Sequence, residues 1–264
     1  MKGSVYVETL RDVRWTVAAW SAGVAFLAAI NVLLFPSLQQ MEGLVAFLEN
    51  LPPVFKAMIG DIAAMTRLEG FLHVKLFDPL PLLLAIFGVS HGAQLLAGEL
   101  EHKHVDLLLA RPVRRWRVVL AKFLALTTGL ALIALATALA TWACARAIGA
   151  ETSTARLLLG ALNGLPLSWL FAAMAVFASA LVSHPRPAAF GTGAVVVASY
   201  VLETLRLVSP TLAGWRPFSL FAHHKAAYPL TGAPDPWSTL LLLALAALFA
   251  AGAAAVWERR DLAA

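Results

Sequence analysis

The stretch that decides the fold covers residues 97–122 and reads AGELEHKHVDLLLARPVRRWRVVLAK. It separates two long apolar runs and carries six of the 20 Lys and Arg residues of the chain. A segment this charged has to lie in water, and its excess of positive charge places that water on the cytoplasmic side of a membrane. The sequence therefore predicts a cytoplasmic segment held between two membrane spans.

The interior of this stretch is predicted to be a short amphipathic helix. One face carries polar residues at i, i+3, i+4 and i+7, namely Glu99, His102, Lys103 and Asp106. The opposite face gathers three leucines, Leu100, Leu107 and Leu108. Pro112 ends the helix, because the residue before a proline, here Arg111, is driven out of the helical region. A helix in this position is suited to receive force from a soluble partner.

The composition excludes an ordinary soluble domain. Apolar residues make up 60% of the chain, charged residues make up 13% and the mean hydropathy is +0.78, whereas soluble domains are about one-quarter charged. The net charge of +5 comes from basic residues at the ends of apolar runs, a pattern typical of membrane topology rather than of a phosphate-binding surface. We therefore expect contacts with membrane lipids and none with nucleic acid.

Six apolar runs are long enough to cross a bilayer core of about 30 Å, which takes roughly 20 helical residues. They cover residues 15–35, 79–97, 118–145, 157–182, 188–208 and 237–257. The predicted fold is an all-α integral membrane protein in which residues 1–264 form a single transmembrane domain, with residues 98–116 as the cytoplasmic segment. Pro36 is expected to close the first run and Asp78-Pro79 to open the second. Pro166 is expected to kink the fourth run because it removes a backbone hydrogen bond.

Both termini are predicted to be cytoplasmic. In that orientation the cytoplasmic segments hold about 12 Lys and Arg in roughly 46 residues, against about 8 in roughly 83 for the outer segments. Residues 6–14 are predicted to form an N-terminal interfacial helix on the inner surface. In the first outer loop, residues 44–48 and 54–59 are expected to form short helices, because a loop of about 42 residues without structure is unusual.

The sequence lacks two common motifs for catalysis: it contains no G-x-x-x-x-G-K-[ST] for nucleotide phosphates and no H-E-x-x-H for zinc. Gly88-Val89-Ser90-His91-Gly92 matches G-x-S-x-G in letters, but it lies inside an apolar run and not at the strand-to-helix turn that a nucleophilic serine of this motif requires. Ser90 and His91 come closest to a nucleophile and a base, but neighbours in a helix do not face each other. The one cysteine, Cys144, lies inside an apolar run, which excludes a disulfide within the chain. We expect no catalytic residue, no metal site and no cofactor in this chain.

A few polar residues lie within the apolar runs, where exposure to lipid would be costly. The candidates for a path across the membrane or for a dimer interface are Ser90, His91, Gln94, Asn163 and Glu203. Both packing between helices and a water-filled path would satisfy them. Ser90 and Gln94 share a face, and Glu203 is expected to pair with Arg206, three residues on.

Together these features resemble the type-2 ABC exporter permeases, and the resemblance runs over essentially the whole chain. Its most specific part is residues 97–122, where Ala97-Gly98-Glu99-Leu100-Glu101 is followed by Asp106-Leu107-Leu108-Leu109-Ala110-Arg111-Pro112. Pro217-Phe218 and Glu258-Arg259-Arg260-Asp261-Leu262 are also similar to the family pattern. One departure is that Lys103-His104 stands where the family usually has a small Gly-Thr pair.

The resemblance implies that the cytoplasmic segment is the coupling helix, which sits in a cleft of a separate ATPase subunit. It assigns ATPase coupling to Glu99, Leu100, Glu101, His102, Lys103, His104, Asp106, Leu107, Leu108, Arg111 and Pro112. Two ATPase subunits, which bind ATP and Mg²⁺, would join two permeases, either two copies of this chain or this chain and a paralogue. The permeases would meet at their second and fifth spans, in a plasma membrane or a bacterial inner membrane.

The sequence leaves the cargo open, and three functions remain. The first is ATP-driven export of a substrate, for which this chain would be the permease subunit and not itself an enzyme. The alternative is a non-transporting subunit that transmits ATPase motion to a periplasmic or surface partner, which the long first outer loop favours. The remote alternative is an intramembrane enzyme, which would need a nucleophile or a metal set deep in the spans.

Overall fold

The computed structural model describes residues 5–39, 43, 50–52, 63–101, 114–226 and 235–260. The regular structure in these residues is helical, with no strand. The α-helices are α1 (Val5–Gln39), α2 (Leu68–Leu72), α3 (Leu80–Glu101), α4 (Arg115–Ala147), α5 (Thr154–Leu162), α6 (Leu165–Leu181), α7 (Pro185–Val208), α8 (Leu220–Ala226) and α9 (Pro236–Arg259). Six helical stretches have the length and apolar composition to cross a membrane. The predicted all-α fold with six spans is therefore confirmed.

The central helix of the bundle is α6. It packs against α3 and α9 and also contacts α4 and α7, while α1 packs along α4 at the periphery. Fully buried side chains line α6, among them Phe171, Ala173 and Val176. The peripheral helices instead expose large apolar side chains such as Phe26 on α1, Phe190 on α7 and Leu248 on α9. An apolar outer surface of this kind is what a bilayer requires.

The first span differs from the prediction at both ends. Residues 6–14 continue directly into the apolar run, so α1 is one helix of 35 residues and the predicted interfacial helix is not a separate element. The hydroxyl of Tyr6 lies 3.0 Å from that of Thr128, which ties this end of α1 to α4. Pro36 was expected to end the span, but the helix continues to Gln39. Phe35 holds this last turn in place because its ring packs on Phe71, with centroids 5.4 Å apart.

The helical stretch that contains the second span begins before Asp78-Pro79, and α3 itself begins directly after this pair, at Leu80. This stretch runs from Leu68 to Glu101 and contains α2, a π-helical turn (His73–Phe77) and α3. The early residues belong to the bundle because Leu72 and Leu76 are completely buried. The predicted helices at residues 44–48 and 54–59 lie outside the described residues. The described part of the predicted last outer loop, between α7 and α9, contains a 3₁₀ helix (Pro210–Phe218) and α8.

The predicted kink in the fourth span is confirmed. The span is divided into α5 and α6 at Asn163-Gly164, and Pro166 lies in the first turn of α6. Proline is accepted there because the first amides of a helix have no carbonyl partner within it. The Ser168 hydroxyl donates to the Gly164 carbonyl at 2.8 Å and so closes the first turn of α6.

Candidate functional site

The predicted coupling segment leaves the bundle at the last turn of α3. Of its assigned residues the structure describes Glu99, Leu100 and Glu101, which are helical. The others lie outside the described residues: His102, Lys103, His104, Asp106, Leu107, Leu108, Arg111 and Pro112. Leu100 packs against the hydrophobic core. What the structure describes is therefore the base of the segment.

An ion pair joins this base to α4. The ammonium of Lys122 pairs with the carboxylate of Glu99 and also donates to the Leu95 carbonyl at 3.1 Å. Lys122 is only 7% exposed, and a lysine is rarely buried this far unless its charge is paired. The ammonium thus binds α3 at two points one turn apart.

A side chain of α6 binds the preceding turn of α3. The Ser179 hydroxyl donates to the Ala93 carbonyl at 2.7 Å and accepts from the amides of Ala97 at 2.8 Å and Leu96 at 3.2 Å. One donor and two acceptor positions are the full capacity of a hydroxyl. α3 remains α-helical through these residues, so the Ser179 hydroxyl joins α6 to the α3 backbone without ending the helix.

Two glycines let α3 and α6 approach closely just before this point. A Cβ atom at Gly92 would lie 3.0 Å from both the Ala172 carbonyl oxygen and the Ala175 Cβ. At Gly88 it would lie 3.2 Å from the Ala172 Cβ. Glycines four residues apart on one helix face are the usual device for such contacts between membrane helices. The two backbones can therefore interlock over a full turn.

Arg260, which follows α9, closes the C-terminal end of α6. Its guanidinium donates to the carbonyls of Ala180 at 2.8 Å and Val182 at 2.9 Å and to the Ser183 hydroxyl at 3.0 Å. The last carbonyls of a helix have no amide partner within it. A cation there also interacts favourably with the negative end of the helix dipole. Arg260 therefore acts as a C-terminal cap supplied by another helix.

The start of α4 is held by the same region of α9. The Glu258 carboxylate accepts from the Trp116 amide at 2.9 Å, and the Arg115 guanidinium donates to the Arg260 carbonyl at 2.8 Å. A carboxylate is favourable at a helix N-terminus because the free amides carry positive partial charge. Across the same end of the bundle, the His184 imidazole lies 3.6 Å from the Glu101 carboxylate. The base of the coupling segment is thus surrounded by contacts among α3, α4, α6 and α9.

The candidate path residues of the second span divide into two groups. Ser90 and Gln94 are exposed and, with Ile86, form an outward stripe on the otherwise well-buried α3. His91 is half-buried, stacks on Phe87 with centroids 4.3 Å apart, and lies 3.0 Å from the Phe87 carbonyl. The Ser90 hydroxyl donates to the Ile86 carbonyl at 2.6 Å. Ser90 and His91 therefore bind their own helix backbone rather than each other.

The other two candidates lie toward the outer end. Glu203 is 2% exposed and accepts from Arg206 at 2.8 and 3.0 Å and from the Ser219 hydroxyl at 2.9 Å. The predicted pairing with Arg206 is confirmed. Asn163, at the break in the fourth span, has its amide nitrogen 3.4 Å from both the His224 Nδ1 and the His224 carbonyl oxygen. Both residues thus connect spans to the last outer loop.

Comparison with known proteins decides the class of protein. The sequence model of the ABC-2 family transporter proteins matches residues 15–262, nearly the whole chain. The chain belongs to the ABC-2 transporter family. No curated protein gives a significant match. With its six apolar helices, this ABC-2 protein is a multi-pass membrane protein and a transporter permease subunit.

Several residues of this ABC-2 subunit that bond or pack near the base of the predicted coupling segment were not singled out as site residues from the sequence. They are Lys122, Ser179, Arg260, Gly88 and Gly92. The two glycines had a signal, since Gly88-Val89-Ser90-His91-Gly92 is a small-xxx-small pattern in an apolar run. A lone lysine inside the third run was a second signal, because a charge there needs a partner. Ser179 had none, since serines are common in membrane helices.

Proposed function

We propose that this chain is the permease subunit of an ATP-driven exporter and that a separate ATPase subunit supplies the energy. The observation that carries the proposal is the set of bonds that joins the last turns of α3 to α4 and α6. In a member of the ABC-2 family, the base of the predicted coupling segment is bonded to α4 through Lys122 and to α6 through Ser179. A force applied to the segment therefore has a bonded route into the centre of the bundle.

The ATPase would dock on residues 98–116. The assigned residues from His102 to Pro112 would meet its surface, while Glu99 and Leu100 turn toward the bundle and Glu101 lies beside His184. ATP and Mg²⁺ would be bound by two copies of that partner, because the chain contains no phosphate-binding motif. The basic balance of the segment favours an inward orientation, with both termini cytoplasmic, in a plasma membrane or a bacterial inner membrane.

A second permease, a copy or a paralogue, would cover the exposed stripe of α3. Ile86, Ser90 and Gln94 face outward from a helix that is otherwise well buried, and two polar groups facing lipid are costly. The neighbouring α7, which contacts α3, also exposes Phe190 and Val197, and the fifth span would complete the interface. We place Gln94 at or near this interface, with His91 beside the inner half of the path.

The test is isolation of the tagged chain from its native membranes, followed by measurement of ATP hydrolysis and peptide identification of an ATPase. We expect vanadate-sensitive hydrolysis in the isolate. Leu107→Asp should abolish association, because it puts a charge on the apolar face of the segment. The control for a new carboxylate outside the predicted segment is Arg216→Asp, which should retain the ATPase because Arg216 is exposed between the fifth and sixth spans. An isolate with no ATPase, or one unaffected by Leu107→Asp, would refute the proposal.

A further inference from the structure

Resting on the proposed function, we propose that Lys122 is a positioning residue for energy coupling. Together with Ser179 it clamps the last two turns of α3, so that the coupling segment, α3, α4 and α6 move as one rigid body. The clamp deepens the proposed function by naming the joint through which motion of an ATPase would enter the membrane domain. It comprises Lys122, Glu99 and Ser179 and the α3 backbone from Ala93 to Ala97.

The two halves of the clamp bind neighbouring levels of α3. Ser179 bonds the backbone at Ala93, Leu96 and Ala97, and Lys122 bonds the Leu95 carbonyl and the Glu99 side chain. The bonds of Ser179 come from α6 and those of Lys122 come from α4, so the end of α3 is fixed from two directions. A helix end held in this way cannot turn about its axis without displacing both neighbours.

The ion pair has to stay closed for the clamp to work, and burial keeps it closed. Lys122 is 7% exposed, and the Glu99 side chain is 25% exposed. Separating the charges would leave an ammonium without a partner in an apolar environment, which is strongly unfavourable. Ser179 adds its three bonds to the α3 backbone at Ala93, Leu96 and Ala97, so α6 is held against the same end of α3.

A merely structural ion pair would stabilise the fold without affecting the relative motion of α3 and α4. A structural role and a positioning role are distinguished by measuring the distance between α3 and α4 in addition to the stability of the fold. Spin labels at Glu101→Cys and Arg117→Cys, in a Cys144→Ala background, report the distance between the cytoplasmic ends of α3 and α4. Both labelled positions are exposed, and neither belongs to the clamp.

The variants form a double-mutant cycle. They are Glu99→Gln, Lys122→Met and the double variant, with Lys122→Arg as the conservative variant and the exposed Lys75→Met as the control for loss of a lysine. In the chain alone, in lipid nanodiscs, Lys122→Met should lower the unfolding midpoint by roughly 6 °C or more. The double variant should lose less than the sum of the singles, since each single leaves a partner unpaired. Lys122→Met should also broaden the distance between the labels, and Lys122→Arg should restore a narrow distribution.

In the complex with its ATPase, the 101–117 distance should stay constant between the nucleotide-free and the ATP-plus-vanadate states. In Lys122→Met it should change between these states, while the ATPase stays bound. If Lys122→Met does not fold, Glu99→Gln supplies the same comparison. Additive effects in the cycle, or a distance distribution that Lys122→Met leaves unchanged, would overturn the proposal. Failure to find any ATPase would refute the proposed function instead, since the measurements on the chain alone do not need it.

Discussion

At the scale of single residues, several of the polar groups that the bundle buries are bonded to partners from other elements. Lys122 binds Glu99 across two helices, Glu203 binds Ser219 of the last outer loop, and the Ser179 hydroxyl uses every bond it can make. Water cannot supply these bonds inside a membrane, so the protein has to. Each such residue therefore fixes the relation between two elements, and its removal costs more than the bond alone.

His224 makes one such buried group sensitive to pH. It is 1% exposed, and burial of the imidazole lowers its pKa to about 4 from an ordinary value of 6.5. Between these values the unfolded chain binds a proton that the folded chain does not, so stability falls as the pH falls from about 6.5 toward 4. We expect a loss of about 2 kcal/mol between pH 7.5 and 5 from this group alone.

Thermal unfolding of the detergent-solubilised chain at the two pH values measures this effect. His224→Gln should reduce the loss of stability on acidification, because the group that takes up the proton has been removed. The exposed His184→Gln serves as the control and should keep the wild-type pH dependence. Equal pH dependence in His224→Gln and the wild type would contradict the assignment.

At the scale of elements, the close contact between α3 and α6 makes the Ser179 half of the proposed clamp possible. Gly88 and Gly92 bring the two helices close enough for the Ser179 hydroxyl to reach the α3 backbone. Small residues permit this approach, and dispersion contacts and the buried hydrogen bonds then stabilise it. The Ser179 half of the proposed clamp thus depends on a contact one turn away.

Gly92→Ala tests this dependence. The added Cβ would lie 3.0 Å from a backbone carbonyl and from the Ala175 Cβ, so α3 and α6 must separate. Alanine favours a helix over glycine by about 1 kcal/mol, but overpacking typically costs 1–3 kcal/mol. We expect a lower unfolding midpoint for Gly92→Ala and an unchanged or higher one for Gly191→Ala, where the Cβ meets nothing within 4 Å. Thermal unfolding of both variants in the same detergent checks the sign, and a gain in stability for Gly92→Ala would contradict this packing.

The elements also show what the sequence could and could not predict. Hydropathy located the six helices, and Pro166 located the kink, because both signals are local. The continuity of α1 through residues 6–14 and the helical residues before Asp78-Pro79 were missed, since burial of Leu72 and Leu76 depends on partners far away in the chain. The bond between Lys122 and Glu99 was missed for the same reason: it depends on the crossing of α3 and α4, which no spacing within either run specifies.

At the scale of the whole molecule, the two ends of the bundle are held by different sets of polar contacts. The contacts of Lys122, Arg115 and Arg260 gather at the end where α3 leads into the predicted coupling segment. The opposite end contains the 3₁₀ helix Pro210–Phe218, α8 and the Glu203–Arg206 pair. The first end is basic in the sequence as well, so both observations favour the same cytoplasmic assignment.

Cysteine labelling tests this orientation in a Cys144→Ala background. Cysteines replacing Arg117 and Arg259, both exposed at the predicted inner end, should be protected from an impermeant thiol reagent in intact cells. Cysteine at Arg216, exposed in the last outer loop, should react without permeabilisation. Permeabilised cells provide the control, in which all three should react. The opposite labelling pattern would invert the orientation and remove the coupling segment from reach of a cytoplasmic ATPase.

The cap that Arg260 places on α6 has a consequence for biogenesis. Arg260 follows all six spans in the chain, so the carbonyls of Ala180 and Val182 remain without this partner until the last helix has been synthesised and inserted. The start of α4 likewise lacks the Glu258 carboxylate until the last helix is in place. In an intermediate whose last helix is not yet inserted, the end of α6 and the start of α4 would both lack their caps. Docking of the sixth span therefore completes both ends in a single step.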